Sequence, residues 1–439
     1  MSAAAAPVTT TAITPTVLVE TSRALPLVSL AVSLRTGAIE DPDGKEGLTR
    51  FTGRLMRRTG GGKTPQEIDI AVDALGGSLG VDTSHSTAGF QSTFIARSLD
   101  PMVELVREVI AEPSFAVDEL ERLKRESEAE LIEARDNDRA LARYFFGKKL
   151  YEGHPYGRTT VGRIPTIEAF GDTDVRRHWA RLFVQENLVF TFSGDIDRPQ
   201  AEAVAQRIAS GLSRGAAISD KLSDPVMAKG RRLVIVDKPE RTQTQILIGG
   251  SGSHPHDQDH IALHVANTVF GGTFTARMTR EIRSKRGWSY GAYSSMPYDR
   301  HRRGFSMWTF PKASDAAPCI RVELDMLKNL IDNGITKREL AWAKRYLVRS
   351  HAFALDTASK RVALELDALI YDLPAGYYES YTDRVQAVTL EEANAALRHR
   401  LSAEDLLVTV VGTESDIGGP VREAIDGLEN VEVVPFDQD

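Results

Sequence analysis

The chain has 439 residues, with 54 Lys and Arg against 61 Asp and Glu, for a net charge of −7. That acidic balance excludes general nucleic-acid binding. The length exceeds a single hydrophobic core, and 42% hydrophobic with 26% charged residues is the composition of a soluble globular chain of two or more domains. A lone cysteine, Cys319, excludes an internal disulfide and a thiolate zinc site, and reads as a small packed residue.

Met1–Thr14 is rich in Ala and Thr, without the basic start and apolar core of a secretory signal. No run reaches the roughly 18 apolar residues of a membrane span. The expected compartment is the cytoplasm, or the periplasm if a signal has been removed. Val28–Leu34 alternates as a strand, and Glu46–Arg58 is helical. Thr64-Pro65-Gln66-Glu67 starts a helix, with a Thr cap, Pro in the first turn and Glu three residues past the cap. That helix stops at Gly76, and a strand begins at Ser78. Gly60-Gly61-Gly62-Lys63-Thr64 lacks the full spacing of a phosphate loop.

Phe90–Ala96 is the next strand, and Thr87–Ala96 is a candidate sheet edge for adding an extended peptide. Val103–Ile110 is an amphipathic helix followed by the turn Glu112-Pro113-Ser114 and a long helix. His154, in His154-Pro155-Tyr156-Gly157, reads as a turn-stabilising residue. The strand Leu188–Ser193 ends at Gly194, and Ser210–Gly230 has no apolar period and reads as a linker.

Beyond the linker the pattern repeats. A shift of 211 carries Gly60-Gly61 onto Gly271-Gly272, Thr64 onto Thr275, Gly76 onto Gly287 and Gly80 onto Gly291. Each glycine pair follows a helical segment, the second being Asp257–Val269. Leu233–Val236 and Thr244–Ile248 are strands, Ile320–Ile331 is an amphipathic helix before the turn Asn333-Gly334, and Leu406–Val411 is a strand ending at Gly412. The fold class is therefore α+β, with two homologous domains, each a mostly antiparallel sheet packed with helices. The expected division is 1–212, a linker over 213–230, and 231–439.

Phe274, Met278 and Ile282 form an apolar stripe at helical spacing, with Gly287 as the stop and Trp288–Ser294 as a strand. Arg283 then lies near the helix end, and Tyr290, seven residues on, returns near it after the reversal. His256, His260 and His264 stand four apart and would share a helical face only if the helix began that early. His254-Pro255-His256 reads instead as a loop, and these histidines as structural or surface residues.

Several stretches together resemble the pitrilysin (insulinase-type) zinc metallopeptidases, in the branch of the mitochondrial processing peptidase and its small bacterial relatives. They are Gly47-Leu48-Thr49-Arg50-Phe51-Thr52-Gly53-Arg54-Leu55-Met56, Ala74-Leu75-Gly76-Gly77, Gly153-His154-Pro155-Tyr156-Gly157 and Asn187-Leu188-Val189. In the second half they are Phe270-Gly271-Gly272-Thr273-Phe274-Thr275-Ala276-Arg277 and Arg283-Ser284-Lys285-Arg286-Gly287-Trp288-Ser289-Tyr290-Gly291. The resemblance implies two domains forming half of a clam-shell. It also implies an inverted zinc motif, His-x-x-Glu-His, whose register falls here on Arg50, Gly53 and Arg54, with the third ligand near Glu130. Glu126, Glu128 and Glu133 leave that last register open by a turn.

Arginine is a fixed cation without an acceptor, and glycine has no side chain to activate water, so this chain is expected to hold no metal. Arg50 and Arg54 are either solvated residues of one helix face or fill the vacated site opposite Glu130. The resemblance further assigns Arg283 and Tyr290 to contacts with substrate at a partner's zinc centre. A phenol donates to a carbonyl oxygen gaining charge, and a guanidinium adds a fork of donors. Otherwise Tyr290 is a packed strand aromatic and Arg283 a helix C-terminal cation.

The expectation is a non-catalytic subunit of a heteromeric zinc endopeptidase. It would bind peptide or unfolded polypeptide beside a homologous His-x-x-Glu-His chain that carries the zinc. The alternatives are an inert structural or assembly subunit, as in the respiratory-complex core subunits that resemble this family, and a peptide-binding scaffold. A metal-independent hydrolase lacks a nucleophile–base pair.

Overall fold

The computed structural model describes residues 15–438; the Ala/Thr-rich segment over 1–14 lies outside the described residues. By packing, the chain divides into two compact units. The first runs to Gly37 and includes Thr49–Leu120 and Gly171–Asp220; the second includes Ala38–Leu48, Glu121–Phe170 and residues from Lys221 onward.

The first unit contains β1 (Thr16–Thr21), β2 (Leu27–Leu34), β3 (Ser78–Thr83), β4 (Ala88–Ile95) and β5 (Leu188–Gly194), in the order β1–β5–β2–β4–β3. Only β1 and β5 run parallel. The alternation in β2 buries Val28, Leu30 and Val32 on the core face, with Leu30 opposite Phe192 of β5 and Ser92 of β4. Its helices include α1 (Leu48–Thr59), α2 (Pro65–Ala74) and α3 (Leu99–Ala111), with α4 (Val117–Ala134) leading out of the unit and two more over Asp172–Leu182 and Arg198–Ala209. The sequence-predicted cap of α2 is present: the Thr64 hydroxyl accepts from the Glu67 amide while Glu67 accepts from the Thr64 amide.

The second unit contains β6 (Arg231–Asp237), β7 (Gln245–Ser251), β8 (Ala292–Ser295), β9 (Gly304–Thr309), β10 (Leu407–Gly412) and β11 (Leu428–Pro435), ordered β11–β6–β10–β7–β9–β8. The run β6–β10–β7–β9–β8 reproduces β1–β5–β2–β4–β3, parallel pair included, so the repeat seen in the sequence is a repeat of topology. Both faces of this sheet are covered. Leu233 and Ile235 of β6 point into the larger core, and Val234 and Val236 into a second layer. That second layer is closed by α5 (Asp138–Leu150), whose Leu141, Ala142, Phe145 and Phe146 bury against it. The Lys238 ammonium, almost fully buried, donates to Asp138 at 2.7 Å and locks the start of α5 to the end of β6.

Three local expectations are corrected. Thr87–Ala96 is not an edge: β4 pairs with β2 on one side and β3 on the other, and the edges of this sheet are β1 and β3. Alternating burial reports the two faces of a strand, not its neighbours. The stripe Phe274–Met278–Ile282 is broken, because Met278 and Ile282 are buried while Phe274 sits in the preceding turn, 55% exposed. The helical turns over Thr279–Lys285 are of the wide π type. The strand expected over Trp288–Ser294 is confined to Ala292–Ser295.

Candidate functional site

The helix α1 contains Arg50, Gly53 and Arg54, the positions at which the family resemblance sets the inverted zinc motif. Leu48, Phe51, Leu55 and Met56 are buried, whereas Arg50 and Arg54 are half-buried, so the two arginines do not lie on a fully solvated face. Beside Arg50, the Thr49 hydroxyl meets the His178 imidazole at 2.8 Å in the core of the first unit. Burial pushes His178 down to about 3, which keeps it neutral. Further along, Arg57 donates to the Leu79 carbonyl at 2.9 Å and Arg58 pairs with Glu119.

Gly53 is buried, and a Cβ there would lie 2.8 Å from Cγ1 of Val81 on β3. A general-base side chain therefore has no room at this position as packed. The donor set fails on chemistry as well: two guanidiniums and a glycine offer no lone pair to a cation. A zinc ion does not fit these residues. Among the described residues, no group of three or more His, Cys, Asp or Glu is disposed to hold a metal ion. Glu130 is an exposed residue of the α4 portion that packs with the second unit, whereas Arg50, Gly53 and Arg54 belong to the first.

Arg283 and Tyr290 are brought together. The Arg283 guanidinium lies 4.4 Å from the centre of the Tyr290 ring and 4.2 Å from that of Phe274. Tyr290 is 74% exposed and precedes β8, so it is not a packed strand aromatic. The surrounding backbone is firmly held. Gly287, at φ +68°, ends the wide helix, where its amide donates to the Arg283 carbonyl and that of Trp288 to the Ile282 carbonyl. The Ser289 hydroxyl donates to the Gly291 carbonyl at 2.6 Å and accepts from the Phe310 amide at 3.0 Å. The buried Thr279 hydroxyl reaches the Ala292 carbonyl at 2.9 Å.

Nearby, burial would raise the Glu281 carboxyl, but hydrogen bonds from Lys285 and Arg286 hold it below its ordinary value. Arg286 in turn lies 4.7 Å from the Trp288 ring centre. The result is an exposed phenol beside a half-buried guanidinium on a hydrogen-bonded turn, flanked by paired charges. Phe274 is the member that sequence reasoning did not single out for the site. Its exposure beside an arginine is a tertiary property with no local signal.

His154, His254 and His256 make local hydrogen bonds to the backbone. The helix His260–Phe270 begins at His260, so His256 lies before it and His256, His260 and His264 do not share a helical face. His256 bonds the Asp372 carbonyl at 2.6 Å, and His254 bonds the Asp299 and Arg300 carbonyls. His154 accepts from the Tyr156 amide at the start of a short 3₁₀ turn. Cys319 is fully buried, and burial raises its thiol.

Residues 16–163 match the insulinase family, peptidase family M16, and residues 170–347 match the peptidase M16 inactive domain. Among curated relatives, the chain is 26% identical over 388 residues to an uncharacterized zinc protease of Mycobacterium leprae, covering 88% of this chain and 86% of that one. It is 22% identical over 402 residues to a non-peptidase homolog of Helicobacter pylori, covering 91% and 92%. Among solved structures, a peptidase M16 inactive domain from Pseudomonas fluorescens superposes with a TM-score of 0.83 at 26% identity, covering 90% of this chain and 95% of that one. No helix among the described residues is long and apolar enough to cross a membrane.

Proposed function

Because the chain belongs to the insulinase (M16) family of peptidases, we propose that it is a non-catalytic member that serves a homologous catalytic chain. In this reading it cleaves nothing alone. It helps enclose a peptide or unfolded polypeptide and presents Arg283 and Tyr290 to the zinc centre of a His-x-x-Glu-His partner. The observation that carries the reading is the contrast between its two sites. Guanidiniums and a packed glycine stand where the resemblance puts the zinc motif, while an exposed phenol pairs with a half-buried guanidinium on an anchored turn.

The chemistry assigned to this chain is limited to binding and orientation. The Tyr290 hydroxyl donates to a peptide carbonyl oxygen, most strongly as that oxygen gains charge. Arg283 lies within cation–π distance of two rings and contributes a fixed positive charge and a fork of donors. Metal and attacking water belong to the partner, and no hydrolytic step is assigned to these residues.

The test is to mix this chain with a homologous His-x-x-Glu-His chain and follow cleavage of a quenched fluorogenic peptide. Each chain alone is the control, and bound zinc is quantified. Activity should appear only in the mixture, with zinc confined to the partner. Tyr290→Phe should lower turnover by about 10²-fold, the scale of a lost oxyanion donor, with complex formation preserved. Unchanged turnover in that variant would remove the transition-state role. A stable complex without cleavage of any peptide would favour a structural or assembly subunit.

A further inference from the structure

The helix Lys337–Leu355 of the second unit presents a face whose charges are left open. Between Glu339 and Asp356 the sequence holds Lys344, Arg345 and Arg349 and no acidic residue, in a chain of net charge −7. The helix buries Ala343 and Leu347 and turns Arg338, Arg345, Tyr346, Arg349 and Phe353 to solvent. At about 100° per residue, these five and the half-buried Trp342 fall within a sector of about 100°, along roughly 22 Å of helix. Trp342 and Tyr346 stack with ring centres 5.7 Å apart and planes at 17°, and Phe353 is 71% exposed.

Among the described residues, Arg338, Arg345 and Arg349 make no ion pair and no hydrogen bond. Other arginines of this unit find carboxylates: Arg277 takes Glu339, Arg302 takes Asp257 and Arg400 takes Asp259. With 61 Asp and Glu in the chain, the open guanidiniums are a property of this face and not of a shortage of acids. The stripe also begins beside the candidate substrate contacts. Arg277, three residues past Phe274, donates to Glu339 at 2.6 and 2.8 Å and to the Gly334 carbonyl at 3.1 Å. It ties the start of the helix, next to Arg338, to the segment whose Phe274 meets Arg283.

We propose that this face binds an acidic polypeptide segment with aromatic or aliphatic residues interspersed among its carboxylates. The carboxylates pair with the open guanidiniums, and the apolar side chains cover Trp342, Tyr346 and Phe353. Tryptophan, tyrosine and arginine are the residue types that carry most binding energy at protein interfaces. An extended segment of about seven residues spans the stripe. Other anionic surfaces fit less well. Ala343 and Leu347 hold the opposite side of the helix in the core, so it cannot sink into a bilayer, and the net charge of the chain opposes anionic lipid and nucleic acid alike. The inference rests on the proposed function only in naming the class of polypeptide enclosed. Binding is read on this chain alone, so its failure leaves the role of Tyr290 standing, and failure of the mixed cleavage assay leaves the binding standing.

The experiment follows the fluorescence anisotropy of a labelled peptide of four Glu-Asp-Phe repeats with the full chain. The expected result is saturable binding with a dissociation constant below about 100 µM, at least tenfold weaker binding of the Lys-Lys-Phe counterpart, and weakening as salt is raised. Four Glu-Asp-Ser repeats, which lack the rings, should bind several-fold more weakly. Arg345→Glu with Arg349→Glu should weaken binding at least tenfold while circular dichroism stays unchanged, since both side chains are exposed. Arg398→Glu with Lys312→Glu makes the same change of charge at exposed positions elsewhere on this unit and should leave binding nearly unchanged. No saturable binding of the acidic peptide, equal affinity for the peptide without rings, or equal losses in the two double variants would each overturn the proposal. So would displacement of the peptide more effectively by phosphatidylserine vesicles or a single-stranded oligonucleotide than by unlabelled peptide.

Discussion

Replacing Gly53 with alanine sets two opposing effects against each other at the centre of the zinc-motif register. A glycine inside a helix costs about 1 kcal/mol relative to alanine, so an unhindered Gly53→Ala change would stabilise α1 by that amount. The structure removes the freedom: the new Cβ would lie 2.8 Å from Val81 Cγ1, well inside the 3.5–4.0 Å optimum for carbon contacts. Valine is stiff at χ1, and overpacking of this kind costs about 1–3 kcal/mol. The clash wins, and the net expectation is a loss of about 1 kcal/mol. In a Val81→Ala background the clash disappears and the same change should stabilise by about 1 kcal/mol, giving a coupling of about 2 kcal/mol between the sites.

Hydrogen exchange of amides in α1 and β3, followed by mass spectrometry, reads the local opening free energy without assuming that the whole chain unfolds in one step. If Gly53→Ala stabilises α1 equally with valine or alanine at 81, the close approach is not a constraint, and the account of why no general base fits is wrong.

Two further predictions concern stability. Glu323 is fully buried beside Thr309, which donates to it at 3.0 Å, and burial raises its carboxyl to about 8. The folded state thus holds a proton that the unfolded chain releases from about pH 4.5, so the contribution of Glu323 to stability is greatest below that pH and falls by about 1.4 kcal/mol per unit until pH 8. Glu323→Gln should abolish this slope, for a relative gain of roughly 3 kcal/mol at pH 7, as measured by denaturant unfolding across the pH range. Matching pH slopes in variant and wild type would refute it. Glu339 caps its helix through Thr336 and also receives a fork from Arg277 at 2.6 and 2.8 Å. Glu339→Ala should therefore cost roughly 2 kcal/mol, against about 1 kcal/mol for Thr64→Ala at the exposed box of α2, measured by the same exchange method.

Much of the fold was legible because its signals are local. The Thr64–Glu67 box announced α2, and the alternation of Val28–Leu34 and the apolar run of Leu188–Ser193 announced β2 and β5. The glycine pairs at 60–61 and 271–272, at a constant offset, announced the duplication that the two sheets share.

Other features were decided by tertiary structure. Which strands form the edges depends on partners far along the chain, and so β4 lies inside its sheet. Helix α5 packs with the second sheet although it precedes the linker, because Phe145 and Phe146 bury there and Lys238 pairs with Asp138. The wide turn over Thr279–Lys285 leaves Phe274 exposed beside Arg283, which no apolar period could foretell. The sequence by itself determined the residue chemistry, the local caps and the repeat, because each depends on near neighbours in the chain. Tertiary structure decided that Gly53 abuts Val81 and that Arg283 meets the rings of Phe274 and Tyr290, because those facts require residues apart in the chain to share space.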